Sequence, residues 1–191
     1  MKGFIVTDLA ALAQGELIMS DLVSEGYTTG GLFSGADNGV CPSGMGVDFN
    51  SSLSYANAQC LLNSGIHTVI ARAYNGANGV DYNACGSLTN AQNAGITNRE
   101  VYIKPCPTCN SQTQSASTQI TDMVNYLKAN CPSAWTGQIW LNISAPSSWS
   151  TNYSANETFF NGLLGTCMAT DPNCGIYTSS TDWSTIFPSN Y

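Results

Sequence analysis

The sequence predicts an α/β fold in which parallel strands alternate with helices. From residue 45 onward, short apolar runs alternate with longer segments of helical periodicity. The apolar runs are nearly continuous, as expected for strands that are covered on both faces. Glycines follow the first two helical segments, where helices commonly end. This alternation implies right-handed crossovers between neighbouring parallel strands.

The first repeat of the pattern covers residues 45–74. Residues 45–49 form a short apolar run and are predicted to be the first strand. A helix is predicted over 51–64, because its apolar residues share one face and Gly65 follows its end. Residues 66–74 are a second apolar run and are predicted to be the next strand.

The pattern then continues to the third helix. A helix is predicted over 83–94, with Gly95 as its terminating residue. The third strand is predicted over 100–104. The spacing of the apolar residues between Ile120 and Leu127 predicts another amphipathic helix.

Two further strands complete the alternation. The fourth strand is predicted over 138–144. Ser154 and Glu157 have the spacing of a capping box and precede apolar residues, which predicts the start of the fourth helix. The fifth strand is predicted over 175–178.

The composition excludes several classes of partner. Charged residues make up 9% of the 191 residues, and the formal net charge is −7 with only five Lys and Arg. So few cations cannot neutralise a run of phosphates, which argues against nucleic acid and anionic membrane surfaces as partners. A hydrophobic content of 43% indicates a globular chain. No apolar run approaches the roughly 20 residues that cross a bilayer.

The cysteines and sequons predict an extracellular protein. Eight cysteines suit an oxidising compartment and up to four disulfide bonds. Asn50, Asn152 and Asn156 begin N-glycosylation sequons in predicted loops or at a helix start. Asn142 also begins one, but within a predicted strand, where we expect no modification. The cysteines expected to form disulfide bonds are Cys41, Cys60, Cys85, Cys106, Cys109, Cys131, Cys167 and Cys174.

The chain divides into an arm over residues 1–40 and a compact domain over residues 41–191. The arm contains loosely helical apolar positions over 4–23 and then a glycine-rich linker over 26–39. Its beginning has features of a signal peptide, but Asp8 interrupts the apolar run, and we interpret the arm as retained. We expect it to bind a neighbouring copy, which would produce a homo-oligomer or filament.

The functional side chains of parallel α/β folds lie at the carboxyl ends of the strands. Glycans are expected to contact the carboxylate and aromatic side chains found there. We interpret Trp140 as a packing residue within its strand. The side chains at the predicted strand ends are Asp48, Arg72, Tyr74, Lys104, Asn142, Ser144 and Tyr177.

Several strings in these same regions carry a family resemblance. They are Gly46-Val-Asp48, Ala71-Arg-Ala-Tyr74, the segment 80–84, the segment 101–109 with its Pro-Cys-Pro-Thr-Cys run, Ile139-Trp-Leu141, the segment 155–160 and the segment 175–179. Over about residues 44–187 the chain resembles the protist and nematode type of glycoside hydrolase family 25 lysozymes. The resemblance implies a modified, TIM-like (β/α)8 barrel that cleaves the bond between muramic acid and glucosamine in bacterial walls.

The resemblance also implies three catalytic carboxylates, and two of them are replaced. The family has an Asp on its first strand, which corresponds to Asp48, and an Asp-x-Glu at the end of its fourth strand. That pair corresponds to Asn142 and Ser144. An amide cannot donate a proton as a general acid near neutral pH, and Ser144 has no paired base, because His67 is expected to face away. We therefore expect no catalytic residues and regard these three positions as vestigial.

The length of the chain is a second departure from the family. The family's barrel continues for several tens of residues beyond the strand at 175–178, whereas this sequence ends at Tyr191. About five of the eight barrel strands are identifiable. The sequence therefore predicts an incomplete or modified barrel with an N-terminal extension.

The pair Cys106 and Cys109 has two interpretations. A Cys-x-x-C between a strand and a helix is the setting of thioredoxin-like redox pairs. The other six cysteines favour a short structural disulfide instead. A zinc site would need a second close pair, which Cys167 and Cys174 do not provide, so neither a metal nor a cofactor is expected.

Two classes of function follow. The favoured class is a non-catalytic, lysozyme-like extracellular protein that is either a self-assembling subunit or a glycan binder, with Asp48, Tyr74 and Tyr177 as its substrate-binding residues. The alternative is a secreted lysozyme that hydrolyses peptidoglycan. That alternative needs a second carboxylate, which no predicted strand end supplies.

Overall fold

A computed structural model describes residues 46–109, 115–170 and 173–188. The predictions about residues 1–40, which are their retention and their binding to a second copy, lie outside the described residues and stay predictions. Cys41 lies outside them as well. Within the described ranges, no helix is long and apolar enough to cross a membrane.

Six strands form one sheet, and all neighbours on its main path are parallel. The strands are β1 Gly46–Phe49, β2 Thr68–Asn75, β3 Gly79–Val80, β4 Asn98–Lys104, β5 Ile139–Asn142 and β6 Cys174–Tyr177. The path runs β1-β2-β4-β5-β6, and the short β3 pairs antiparallel with β2 beyond the end of β1. The predicted α/β fold with parallel strands is thus confirmed, while β3 was not predicted.

Five α-helices connect or follow these strands in the described residues. Serine side chains cap three of them: Ser54, Ser115 and Ser179 each accept a hydrogen bond from the backbone N–H three residues later. The last helix was not predicted. The helices are α1 Tyr55–Asn63, α2 Asn83–Ala94, α3 Ala116–Asn130, α4 Tyr153–Thr170 and α5 Ser180–Ile186.

The predicted capping box at the start of α4 is wrong. The helix begins at Tyr153, before the expected cap. Asn152 Oδ1 accepts hydrogen bonds from the backbone N–H groups of Ser154 and Ala155, at 3.0 and 3.3 Å. An Asn side chain caps a helix as well as Ser does, so the earlier residue caps α4.

The two faces of the sheet differ in chemistry. On the outer face, apolar side chains such as Phe49, Val69, Val101 and Leu141 pack in one core with the helices. The opposite, inner face carries the residues that alternate with them. One lateral row on the inner face follows from the strand register and consists of Arg72, Tyr102, Trp140 and Gly175.

A bulge in β2 changes the face on which Tyr74 lies. The register between β2 and β4 shifts between Arg72 and Tyr74. Without the extra residue, these two side chains would share a face, because residues two apart on a strand do so. Instead Tyr74 joins the helix-covered core and is 2% exposed.

An aromatic cluster packs beside the end of β6. The ring centroid of Trp149 is 5.9 Å from that of Phe159 and 5.8 Å from that of Phe187. Phe187 also contacts Phe160 at 5.4 Å and Trp183 at 4.5 Å. Phe187 is 0% exposed, so the segment after α5 is anchored by a side chain at the centre of the cluster.

Three disulfide bonds are present among the described residues. Cys85 in α2 pairs with Cys131, Cys106 pairs with Cys109, and Cys167 in α4 pairs with Cys174 in β6. The predicted pairing of Cys106 with Cys109 is confirmed. Cys60 is exposed on α1 and forms no disulfide with another described cysteine.

Candidate functional site

Side chains from both ends of the sheet approach one another on the inner face. Asp48 lies in β1 and Tyr177 in β6, which are four strand spacings apart, or about 19 Å in a flat sheet. Yet the Asp48 carboxylate contributes, after burial, to raising the pKa of Tyr177. It raises the pKa of Tyr102 in β4 in the same way. The strand register places all three side chains on the inner face, and the Asp48 carboxylate acts electrostatically on both tyrosines.

The two tyrosines are neutral hydrogen-bonding groups. Burial is the main cause of the raised pKa of Tyr102, and Asp48 adds to it while Arg72 opposes it. Burial is also the main cause for Tyr177, followed by Asp48 and Asp182. Because each pKa is raised above the ordinary tyrosine value, both hydroxyls keep their protons at physiological pH. They can each donate one hydrogen bond and accept others.

An ion pair between Arg72 and Asp81 lies beside these groups. Arg72 Nε and Nη2 lie 2.9 and 2.8 Å from Asp81 Oδ2. Arg72 Nη2 also donates to the backbone oxygen of Asn50, and Asp81 Oδ1 accepts from the backbone N–H of Asn83. The pair thus joins β2 to the end of β1 and to the start of α2. Sequence reasoning found Arg72 but did not single out Asp81, because Asp81 lies directly after β3, a strand too short to predict.

A second buried carboxylate lies deeper on the inner face. Glu100 is in register with Ile70, which is in register with Asp48, so the two acids lie on one row about 10 Å apart at the backbone. Trp140 Nε1 donates to Glu100 Oε2 at 2.6 Å. Burial raises the pKa of Glu100, and the hydrogen bond from Trp140 opposes that rise. Sequence reasoning missed Glu100 because it considered only the carboxyl ends of strands.

Glu100→Gln is expected to make stability less dependent on pH. Because the pKa of Glu100 is raised in the folded state, the folded protein binds more protons than the unfolded chain above the unfolded pKa. The contribution of this carboxyl is therefore fully favourable at low pH and is lost as pH rises through the folded pKa. The difference in Tm between variant and wild type should be more positive at pH 7.5 than at pH 3.5 in calorimetry. Glu157→Gln on α4 is the control, and an equal shift in both variants would contradict this assignment.

Asn142 and Ser144 lie where the resemblance placed the family's acidic pair, at the end of β5. Asn142 is in register with Tyr177, so its side chain belongs to the inner face. Its Oδ1 atom is buried and has no hydrogen-bond partner in the described structure. Ser144 follows two residues later and is partly exposed, and its backbone oxygen accepts from Trp149 Nε1 at 3.2 Å.

The structure separates Tyr74 from the other predicted binding residues. Asp48 and Tyr177 lie together on the inner face, as the strand ends indicated. Tyr74 lies in the core on the other face, since the bulge in β2 reverses its direction. The prediction that Tyr74 contacts a ligand together with Asp48 is therefore wrong.

The prediction of a glycan on Asn156 is also wrong. This side chain is 0% exposed. Its Nδ2 donates to the backbone oxygens of Ser150 and Ile186, at 2.9 and 2.8 Å, and its Oδ1 accepts from the backbone N–H of Ser150 at 3.0 Å. Asn50 and Asn152 are exposed, and their glycosylation stays a prediction.

Comparison with known proteins connects this arrangement to one family. Residues 40–191 match the family described as "Lysozyme-like protein 1". A protein named "Probable GH family 25 lysozyme 2" from Dictyostelium discoideum is 38% identical over 141 residues, which are 74% of this chain and 63% of that protein. "Lysozyme-like protein 5" from Caenorhabditis elegans is 29% identical over 146 residues, which are 76% of this chain and 66% of that protein. The chain thus spans less than two thirds of the length of these relatives.

Solved structures show the same fold. The bacterial lysozyme from Streptomyces coelicolor superposes with a TM-score of 0.54 and 21% identity, over 74% of this chain and 65% of that one. The muramidase from Trichobolus zukalii gives a TM-score of 0.53 and 19% identity, over 71% of this chain and 67% of that one. At these identities the likeness concerns the fold alone.

Proposed function

Because the chain belongs to the family of lysozyme-like protein 1, we propose that its inner face binds a glycan of the bacterial cell wall without hydrolysing it. The observation that carries this proposal is the placement of Asp48, Tyr102 and Tyr177 on one face of the sheet, where the Asp48 carboxylate acts electrostatically on both tyrosines. The relatives' names provide the class of ligand, since they are lysozymes and muramidases by name.

The chemistry of these groups suits a sugar. A carboxylate accepts hydrogen bonds from hydroxyl groups, and a neutral tyrosine hydroxyl can both donate and accept. Asp48, Tyr102 and Tyr177 together provide such groups from three different strands. Binding sites of this kind combine a few convergent polar groups with apolar and aromatic walls.

Hydrolysis requires more than the end of β5 provides. Most glycoside hydrolases need one carboxylic acid that protonates the leaving oxygen and a second carboxylate on the other side of the bond. Asn142 and Ser144 supply neither. Asp81 is committed to the ion pair with Arg72 and to the backbone of Asn83. A missing general acid alone lowers the rate by about 10²–10⁴.

One observation favours the alternative, a secreted lysozyme. Glu100 shares a row with Asp48 on the inner face, two strands away, so the face carries a second carboxyl group of the kind that glycoside hydrolases use. Its pKa is raised by burial, as is typical of a general acid. Against this role, one carboxylate oxygen of Glu100 already accepts a hydrogen bond from Trp140. Tyr102 also lies between Glu100 and the carboxyl end of β4.

We expect the wild-type chain to leave a suspension of bacterial walls intact. The turbidity should fall no faster than in a buffer blank, whereas an active family 25 lysozyme clears the suspension. The test variants are Asp48→Asn and Glu100→Gln, because each replaces an inner-face carboxylate by an isosteric amide. Wall binding, measured by sedimentation with the walls, should weaken in Asp48→Asn.

Clearing that is abolished by both Asp48→Asn and Glu100→Gln would establish the alternative and overturn the non-catalytic proposal. Failure of the wild-type chain to sediment with walls would overturn glycan binding itself. The double variant Asn142→Asp with Ser144→Glu tests the assignment of the replaced pair, since it restores the family's acidic residues at the end of β5.

The cellular setting of this function is also a proposal. The three disulfide bonds support an oxidising, extracellular compartment. Cytosolic thiols would be kept reduced, and structural disulfides are rare there. A wall-binding protein outside the cell would meet its ligand directly.

A further inference from the structure

Trp140 occupies a central place on the inner face. It lies in β5, in register with Tyr102 on one side and with Gly175 on the other. Its side chain remains partly exposed, whereas the side chains of Trp135 and Trp149 are 9% and 5% exposed. Asn142 is two residues further along the same strand and therefore on the same face.

Two contacts fix the plane of the Trp140 ring. At one edge, Nε1 donates to Glu100 Oε2 at 2.6 Å. At the six-membered ring, the backbone of Gly175 comes so close that a Cβ atom there would lie 2.5 Å from Cε3 and would also collide with Cζ3. Only glycine leaves room for the indole at this position. The ring is thus held by Glu100 of β4 on one side and by Gly175 of β6 on the other.

We propose that the indole of Trp140 is the platform on which the apolar face of a bound pyranose stacks. This inference rests on the proposed glycan binding and names the residue that recognises the ring of the sugar. The C–H groups on one face of a pyranose are apolar, and an indole offers a large, rigid surface to cover them. Because the ring is already fixed, binding loses little side-chain entropy.

The polar neighbours complete this arrangement. Tyr102 is one strand away from Trp140 and within electrostatic reach of Asp48. A sugar on the indole would therefore have hydroxyl-binding groups beside its edge. The sequence suggested packing as the role of Trp140. Trp135 and Trp149 also donate their indole N–H groups to backbone oxygens, but they are buried, whereas Trp140 is partly exposed on the inner face.

Glu100 is the positioning residue of this platform. Its carboxylate accepts the hydrogen bond from Nε1 of the indole. It lies on β4 two residues before Tyr102, which is in register with Trp140. Glu100→Gln keeps an oxygen that can accept from Nε1, whereas Glu100→Leu removes the acceptor. Binding through the platform should therefore survive the first substitution and weaken in the second.

The test titrates the full chain with a soluble oligosaccharide of alternating N-acetylglucosamine and N-acetylmuramic acid. Tryptophan fluorescence and calorimetry are the two readouts. Trp140→Phe should weaken the Kd about tenfold, or about 1.4 kcal/mol, and remove the fluorescence change on binding. The matched control is Trp183→Phe, because Trp183 is partly exposed in the aromatic cluster beside β6. It should keep both the Kd and the fluorescence change.

The outcomes separate this inference from the proposed function. If Trp140→Phe binds like wild type while Asp48→Asn loses binding, Trp140 only packs, and the inference is overturned while glycan binding stands. If the wild-type chain does not bind the oligosaccharide, both are overturned. If circular dichroism shows that Trp140→Phe is unfolded, Glu100→Leu against Glu100→Gln decides: equal affinities overturn the inference, and a loss confined to Glu100→Leu supports it.

Discussion

Phe187→Ala is expected to lower the free energy of unfolding by about 3–5 kcal/mol, as for other fully buried aromatic residues. The side chain is 0% exposed and contacts Trp149, Phe160 and Trp183. Truncation removes these contacts and leaves a cavity that rigid rings cannot fill. Urea unfolding monitored by circular dichroism measures the loss, and the m-value shows whether the transition stays two-state.

Phe159→Ala is the control for this prediction. Phe159 contacts the same cluster through Trp149 but is only partly buried. Its truncation should cost clearly less, because water can reach part of the space that it vacates. Equal losses for the two variants would mean that the cluster does not anchor the segment after α5.

Removal of the disulfide between Cys85 and Cys131 is expected to cost about 4 kcal/mol. The bond spans 46 residues, and in the chain-entropy model a longer closed loop restricts the unfolded chain more strongly. The double variant Cys85→Ser with Cys131→Ser measures this loss. Because whole domains are stable by about 5–15 kcal/mol, a loss of this size brings the fold near its limit.

The bond between Cys106 and Cys109 provides the matched comparison. It spans three residues, and the same model gives a loss of about 2 kcal/mol for Cys106→Ser with Cys109→Ser. Both double variants should be compared by the midpoint of urea unfolding. A larger loss from the short bond would show that native contacts near Ser148, and not loop entropy, determine its contribution.

Hydrophobic pattern and glycine placement predicted most of the fold. The predicted helix over 83–94 is identical in extent to α2, whose end is fixed by Gly95 in the left-handed conformation, with φ 99°. The start of α1 was placed four residues too early, because Ser54 caps the helix with its side chain. The short strand β3 has only two residues and therefore no periodicity to detect.

The candidate site was predicted less completely, because strand register decides it. Asp48, Asn142 and Tyr177 were found from strand ends alone. A bulge of one residue cannot be detected in an apolar run, so the reversal of Tyr74 could not be predicted. Glu100 precedes the predicted carboxyl end of its strand and acquires significance only through its neighbours Trp140 and Asp48 across the sheet.

In a compartment that holds a glycosyltransferase, the buried amide of Asn156 would place modification and folding in competition. The tripeptide Asn156-Glu-Thr is a valid acceptor for a glycosyltransferase while the chain is extended. Once the chain has folded, the same amide holds Ser150 and Ile186 by three hydrogen bonds and is inaccessible. A sugar attached earlier would prevent those bonds and keep the start of α4 from docking near the end of α5. In such a compartment, native molecules would be those in which this segment folds before a sugar is transferred.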